Sequence, residues 1–189
     1  IHIFEPDLKA YEKLNDKFIN HKNIYLNDIA ISSEKKTLVF YDSEIPTISG
    51  FHPEKYDKAY LSLRLFILNL LSLKKKKFDE IFTERKIITN TLEKYCFDNK
   101  ISKIDILKID VEGHEKEILK GSKKLIETNS IKLIQLEIIC NSKSEFKEKL
   151  LEFQKILPNY ECYNIKKHSS FFYFNSKIQI YDVLFKSYL

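Results

Sequence analysis

An α/β fold built on a mostly parallel sheet covered on both faces is what this sequence predicts, and three observations carry the expectation. Short apolar runs alternate with segments of helical periodicity along most of the chain. Three of those runs, IHIFE, ILKID and IQLE, deliver a carboxylate at or near their ends. The last two apolar runs, ECYNI and IQIYDVLFKS, lie either side of a loop at His168 to Asn175 and suit an antiparallel tail. At 189 residues, with 43% hydrophobic and 31% charged residues, the chain is long enough for one domain with a sizeable core.

Taken in order, Ile1 to Phe4 is a short strand, Pro6 suits the first turn of a helix, and amphipathic LKAYEKLNDKFI continues it. NIYLNDIAIS and TLVFYDS have strand character, so residues 23–43 are expected to hold one parallel strand and an irregular or hairpin extension. Pro46, Ser49, Gly50 and Pro53 mark a loop. From Pro53 to about Leu73 the pattern is helical, and LSLRLFILNLL is apolar on most sides before the run Lys74 to Lys77. This helix is too short to span a bilayer, which needs roughly 20 apolar residues. It reads as a core or subunit-contact helix, or alternatively as a basic-flanked helix lying at a membrane surface through residues 61–77. TNTLEKYCFDNK is a helix, IDILKID a buried strand, and HEKEILKGSKKLIET a helix whose Gly121 and Ser122 permit close approach to the sheet. IKLIQLEIIC is a strand, and SKSEFKEKLLEFQKIL a helix opened by Ser142 with Glu145 at capping-box spacing.

Composition narrows the partners. A net charge of +5 is a modest surplus, so no nucleic-acid partner is assigned. Cys96, Cys140 and Cys162 are far apart and show no metal-ligand spacing, which suits buried or half-buried thiols in a reducing cytoplasm. No metal ligand set is assigned, and no oligomeric state. IHIFEPD has no signal-peptide character and Met is absent, so a beginning upstream of Ile1 is expected.

In an open α/β sheet, ligands gather beyond the carboxyl ends of the strands, where helix N-termini also point. Glu5 at such an end suits a ribose diol, or equally a helix start where negative charge is favoured. Asn27 and Asp28 could face an adenine amine or form an Asx turn. Anions at a helix start account for one or two acids, less easily for Asp110, Glu112, His114 and Glu115 crowded onto one apolar strand. Glu137 lies within an apolar strand and needs a partner: Lys108, Lys132, a substrate hydroxyl or a metal ion.

FEPD (Phe4 to Asp7), NDIAIS (Asn27 to Ser32), TLEKY (Thr91 to Tyr95), LKIDVEGHEKEILKG (Leu107 to Gly121) and IQLE (Ile134 to Glu137) together resemble the FkbM family of S-adenosylmethionine-dependent methyltransferases. LKIDVEG is the most specific piece, and the match spans most of the chain except an insert at about residues 51–86, read as helical. The resemblance implies a Rossmann-like class I methyltransferase fold, a three-layer sandwich, in a single domain over residues 1–189. It implies methyl transfer to a hydroxyl of a sugar, glycan or secondary metabolite. Glu5 would bind the cofactor ribose, with Asn27 and Asp28 near adenine. Asp110, Glu112 and His114 would border the methyl-transfer centre with Glu137 opposite, Glu112 and Glu137 facing the acceptor. The reaction needs an in-line oxygen and removal of its proton, for which Asp110 or His114 is the candidate base.

The family's first strand and glycine-rich turn should precede IHIFEP, and Gly50, Gly113 and Gly121 cannot replace that turn. An N-terminally truncated domain with an incomplete cofactor cradle is therefore expected. Either the Glu5 and Asp110 strands pair directly, or the sheet carries a gap. A catalytically inactive Rossmann-like binding module is the alternative reading.

Overall fold

The computed structural model describes residues 1–45, 48–56, 58–71, 75, 77–168 and 179–188. Along them run β1 (His2–Phe4), α1 (Leu8–Phe18), β2 (Tyr25–Asn27), β3 (Ala30–Ile31), β4 (Thr37–Ser43), α2 (Lys58–Leu71) and β5 (Phe82–Asn90). There follow α3 (Leu92–Asp98), β6 (Ile104–Ile109), α4 (Glu115–Lys120), α5 (Lys123–Glu127), β7 (Ile131–Cys140), α6 (Lys143–Ile156), β8 (Tyr160–Lys167) and β9 (Gln179–Ser187). The α/β class holds. Parallel pairs are β1–β2, β3–β5 and β6–β7; the antiparallel ones are β4–β5 and the tail pairs β7–β9 and β8–β9.

The expected cap at Ser142 forms, accepting from the Glu145 N–H at 3.1 Å; Asp7 and Thr91 cap α1 and α3 likewise, accepting from Ala10 at 3.0 Å and Lys94 at 3.1 Å, each satisfying a free helix-end donor. The Glu145 carboxylate returns to the Asn141 N–H at 2.8 Å, one residue before the cap. The predicted helix over His114 to Thr128 is divided into α4 and α5 at Gly121 and Ser122. Gly121 sits so close to β3 that an added Cβ would lie 2.0 Å from the Ser32 carbonyl oxygen.

One face of β7 is closed. Ile134, Leu136 and Ile138 pack with Val183 and Phe185 of β9 against residues of α3 to α6, including Cys96, Leu119, Ile126 and Phe153. Burial of each such large apolar side chain is worth about 1.5–3 kcal/mol. The other face, carrying Gln135, Glu137 and Ile139, is half-buried. There Ile139 and Ile180 meet a second cluster of Ile45, Ile48, Tyr56, Tyr60, Leu61, Leu65 and Ile81, so α2 forms a partial third layer.

Two expectations change. The insert is not helical to residue 86: from Phe82 onward the chain is β5, paired antiparallel with β4 from Ser43↔Phe82 to Thr37↔Ile88. The stretch Ile104 to Ile109 is not a central buried strand either. β6 is the edge of the sheet β6-β7-β9-β8, and Ile106 is 62% exposed. Among the described residues β1 pairs only with β2, in a separate two-stranded sheet. Of the two arrangements foreseen for the Glu5 and Asp110 strands, the structure shows the gap.

Two ties hold the small β1-β2 sheet. The Tyr95 hydroxyl of α3 donates to Asn27 Oδ1 at 3.1 Å and lies 2.8 Å from His2 Nδ1, with Phe4 edge-on to its ring. Arg85 of β5 grips Asp42 through two nitrogens at 2.7 and 2.9 Å and donates to the Pro6 carbonyl at 2.6 Å. Its guanidinium therefore fixes the turn that follows Glu5.

Candidate active site

Where β6 ends, the chain must turn sharply into α4. Glu112 and Gly113 both take positive φ, 53° and 95°, and the Glu115 carboxylate accepts from the Gly113 N–H at 2.7 Å. A side chain at the second position would be strained, which accounts for Gly113. This turn presents Asp110, Glu112 and His114 to a cavity of about 430 Å³, within the range of small-molecule and cofactor sites. Across it stand Phe4, Glu5 and Asp7 at and just beyond the end of β1, with Phe40 of β4, Ser49 and Gly50 of the loop that follows, and Phe51 where the insert begins. The cavity occupies the gap between β1 and β6.

Its polar groups differ in freedom. Glu5 Oε1 accepts from the Asp7 N–H at 2.9 Å. Burial pushes the Glu5 carboxyl up; the Asp7 N–H bond opposes this and the Asp7 charge adds to it. Asp7 is engaged by its cap and by the Ser49 hydroxyl. His114 is buried: its Nε2 lies 3.0 Å from Ser32 Oγ, and its ring packs against Phe51 with centroids 4.2 Å apart. Glu112 accepts from the Tyr56 hydroxyl. Asp110 is the more open group, its side chain 40% exposed, with Lys108 Nζ 2.8 Å from one carboxylate oxygen.

Glu137 stands behind Asp110, on the half-buried face of β7 and in register with Asp182 of β9. Of the two lysines foreseen as partners, Lys108 bonds Asp110 first and feels the Glu137 charge more weakly. Burial first, then the Asp110 and Glu112 charges, push the Glu137 pKa up to about 8. Glu137 thus holds a proton near neutral pH. The ligand oxygens of Asp110, Glu112 and Glu137 lie within 4.8 Å of one another, as do the ligand atoms of Glu137, His168 and Asp182. Either set has donors of a kind that can hold a divalent cation.

Of the seven residues singled out in the sequence, four line the cavity, Glu5, Asp110, Glu112 and His114, and a fifth, Glu137, sits beside them with its carboxylate close to those of Asp110 and Glu112. Asn27 is outside the cavity lining; its side-chain amide donates to the Ile3 and Tyr25 carbonyls at 2.9 and 3.1 Å and its oxygen accepts from Tyr95. Asp28 is exposed and also outside the lining. Ser32, Tyr56 and Phe51 escaped the sequence reading. Ser32 closes NDIAIS with no local signal that it meets His114, while Phe51, in the cavity lining, and Tyr56, bonded to Glu112, sit in the insert, where nothing in the local pattern points to the site.

A family model described as the methyltransferase FkbM domain matches residues 1–163. The chain belongs to the FkbM methyltransferase family. Among solved structures, the methyltransferase FkbM from Methylobacillus flagellatus KT is similar at 14% identity and a TM-score of 0.48. That likeness covers 98% of this chain and 36% of the solved one, so the chain spans about a third of that protein's length. No curated protein matches the chain.

Proposed function

We propose that this FkbM domain transfers a methyl group from S-adenosylmethionine to a hydroxyl of a sugar, glycan or secondary metabolite, with Asp110 as the base. One observation carries the reading: a single cavity joins Glu5, beyond one parallel strand, to Asp110, Glu112 and His114, beyond another. The fit to the cofactor is one-sided. A desolvated carboxylate at Glu5 can accept hydrogen bonds from two ribose hydroxyls, which offset the cost of its burial. For the amino-acid end, the three glycines of this sequence form no glycine-rich turn.

When bound, the cofactor supplies a methyl carbon made electrophilic by its sulfonium. The chain's own residues handle the acceptor. Asp110 would accept the proton of the acceptor hydroxyl, freeing that oxygen to take the methyl group the bound cofactor would supply. Asp110 suits this better than His114 because it is open to the cavity, whereas His114 is 5% exposed and held against Ser32. His114 and Phe51 pack ring against ring, 4.2 Å between centroids, as one wall of the cavity. Glu112, held by Tyr56, offers an acceptor for a second substrate hydroxyl.

The test is transfer of labelled methyl from S-adenosylmethionine to a panel of sugars, glycans and polyols by the native protein carrying this domain. Transfer that Asp110→Asn lowers about 100-fold or more supports the reading. Cofactor binding without transfer to any hydroxyl would favour the inactive binding module.

A further inference from the structure

Helix α2 has two apolar faces, and the second core cluster accounts for only one. Tyr60, Leu61 and Leu65 face inward, into the cluster with Ile45, Ile48, Tyr56 and Ile81. At about 100° per residue, Leu63, Phe66 and Leu70 share the opposite side of the helix. They are 46, 65 and 74% exposed, and Leu71 at the helix end is 81% exposed. That spacing, i, i+3, i+7, is the stripe a helix ordinarily turns to a core. On the solvent side of an ordinary surface helix, charged and polar residues would occupy it.

The charges that do occur are of one sign. From Lys58 to Lys77 there is no Asp or Glu, while Lys58, Arg64 and the run Lys74 to Lys77 are basic. Lys75 and Lys77 are exposed just beyond the helix end, and acids resume only at Asp79 and Glu80. We propose that the outward face of α2 docks on an anionic lipid bilayer, burying Leu63, Phe66, Leu70 and Leu71 at the headgroup boundary while the lysines meet lipid phosphates. At 14 residues the helix is about 21 Å long and lies in the plane of the surface without crossing it. Apolar burial and attraction of the lysines to anionic lipid add, which a protein partner of mixed charge would not exploit.

Docking there would also orient the cavity. Tyr60 of α2 stacks on Tyr56 with ring centroids 5.5 Å apart, and the Tyr56 hydroxyl reaches Glu112. The membrane face and the cavity wall are thus two contacts apart, which favours acceptors held at a bilayer surface. The docking stands independently of the methyl-transfer reading.

The test is co-sedimentation of the native protein with phosphatidylcholine vesicles and with vesicles of phosphatidylcholine and phosphatidylglycerol at 7:3. We expect partitioning roughly tenfold or more stronger on the anionic vesicles, weakened by salt, and lost in L63S/F66S/L70S. K75S/K77S, which leaves the apolar face intact, should lose the preference for anionic lipid alone. All three replaced apolar residues are exposed, so an unchanged Tm certifies the fold of the variant. Equal partitioning of wild type and the triple serine variant overturns the proposal. So does a vesicle-indifferent protein that self-associates through this face, seen as a dimer that the same variant dissociates.

Discussion

The Nε2 atom of His114 lies 3.0 Å from Ser32 Oγ, a bond between two buried residues that brings the end of β3 to the start of α4. It fixes the His114 ring as cavity wall. Ser32→Ala should cost about 1–2 kcal/mol in urea unfolding, since it removes a hydrogen bond between two buried side chains. In the double variant with H114F the combined loss should be less than the sum of the two, because both single changes remove the same bond.

Gly121 meets the same segment through its backbone. A methyl 2.0 Å from the Ser32 carbonyl oxygen has nowhere to go, so Gly121→Ala should destabilise by about 2–3 kcal/mol. Gly50 is the control. Its added Cβ would meet Glu112 Cβ at 3.5 Å, an ordinary contact, and Gly50→Ala should shift stability by less than about 0.5 kcal/mol.

The protonation of Glu137 gives a pH signature. Its folded pKa of about 8 exceeds the ordinary 4.5, so between those values the folded chain binds the proton that the unfolded chain has released. Stability from this group is full below pH 4.5 and is lost as pH rises towards 8. Glu137→Gln cannot ionise. Relative to wild type, its Tm should gain more at pH 8.5 than at pH 5.5, and an equal difference at both would contradict the assignment.

Arg85 controls the site from outside it. Arg85→Met removes the two bonds to Asp42 and the bond to Pro6, so the Glu5 turn should exchange its amide hydrogens at least about tenfold faster. Hydrogen exchange over residues 4–8 reads this directly, and cofactor affinity should fall with it.

Much of this was legible in the sequence because the signals were local. Ser142 with Glu145 named its own helix start, the apolar run of β7 named a core strand, and Gly121 within the buried stripe of its helix announced a close approach. β5 was missed because Glu84, Arg85 and Lys86 break its alternation; only the Asp42–Arg85 pair, a long-range contact, explains a charge turned inward there. The exposure of β6 was missed for a similar reason: Ile104 to Ile109 reads as buried whatever lies beside it, and edge position is decided by pairing. Asn27 was a good polar candidate by position, but Tyr95, 68 residues away, takes its side-chain oxygen.

On the proposed function, the cavity between β1 and β6 receives the nucleoside of S-adenosylmethionine on Glu5. Calorimetric titration of S-adenosylmethionine into the native protein reads this out. Glu5→Gln should weaken binding about tenfold or more, while Asp28→Asn, outside the lining, should leave it unchanged. Equal affinity in wild type and Glu5→Gln, or loss in Asp28→Asn alone, would contradict it.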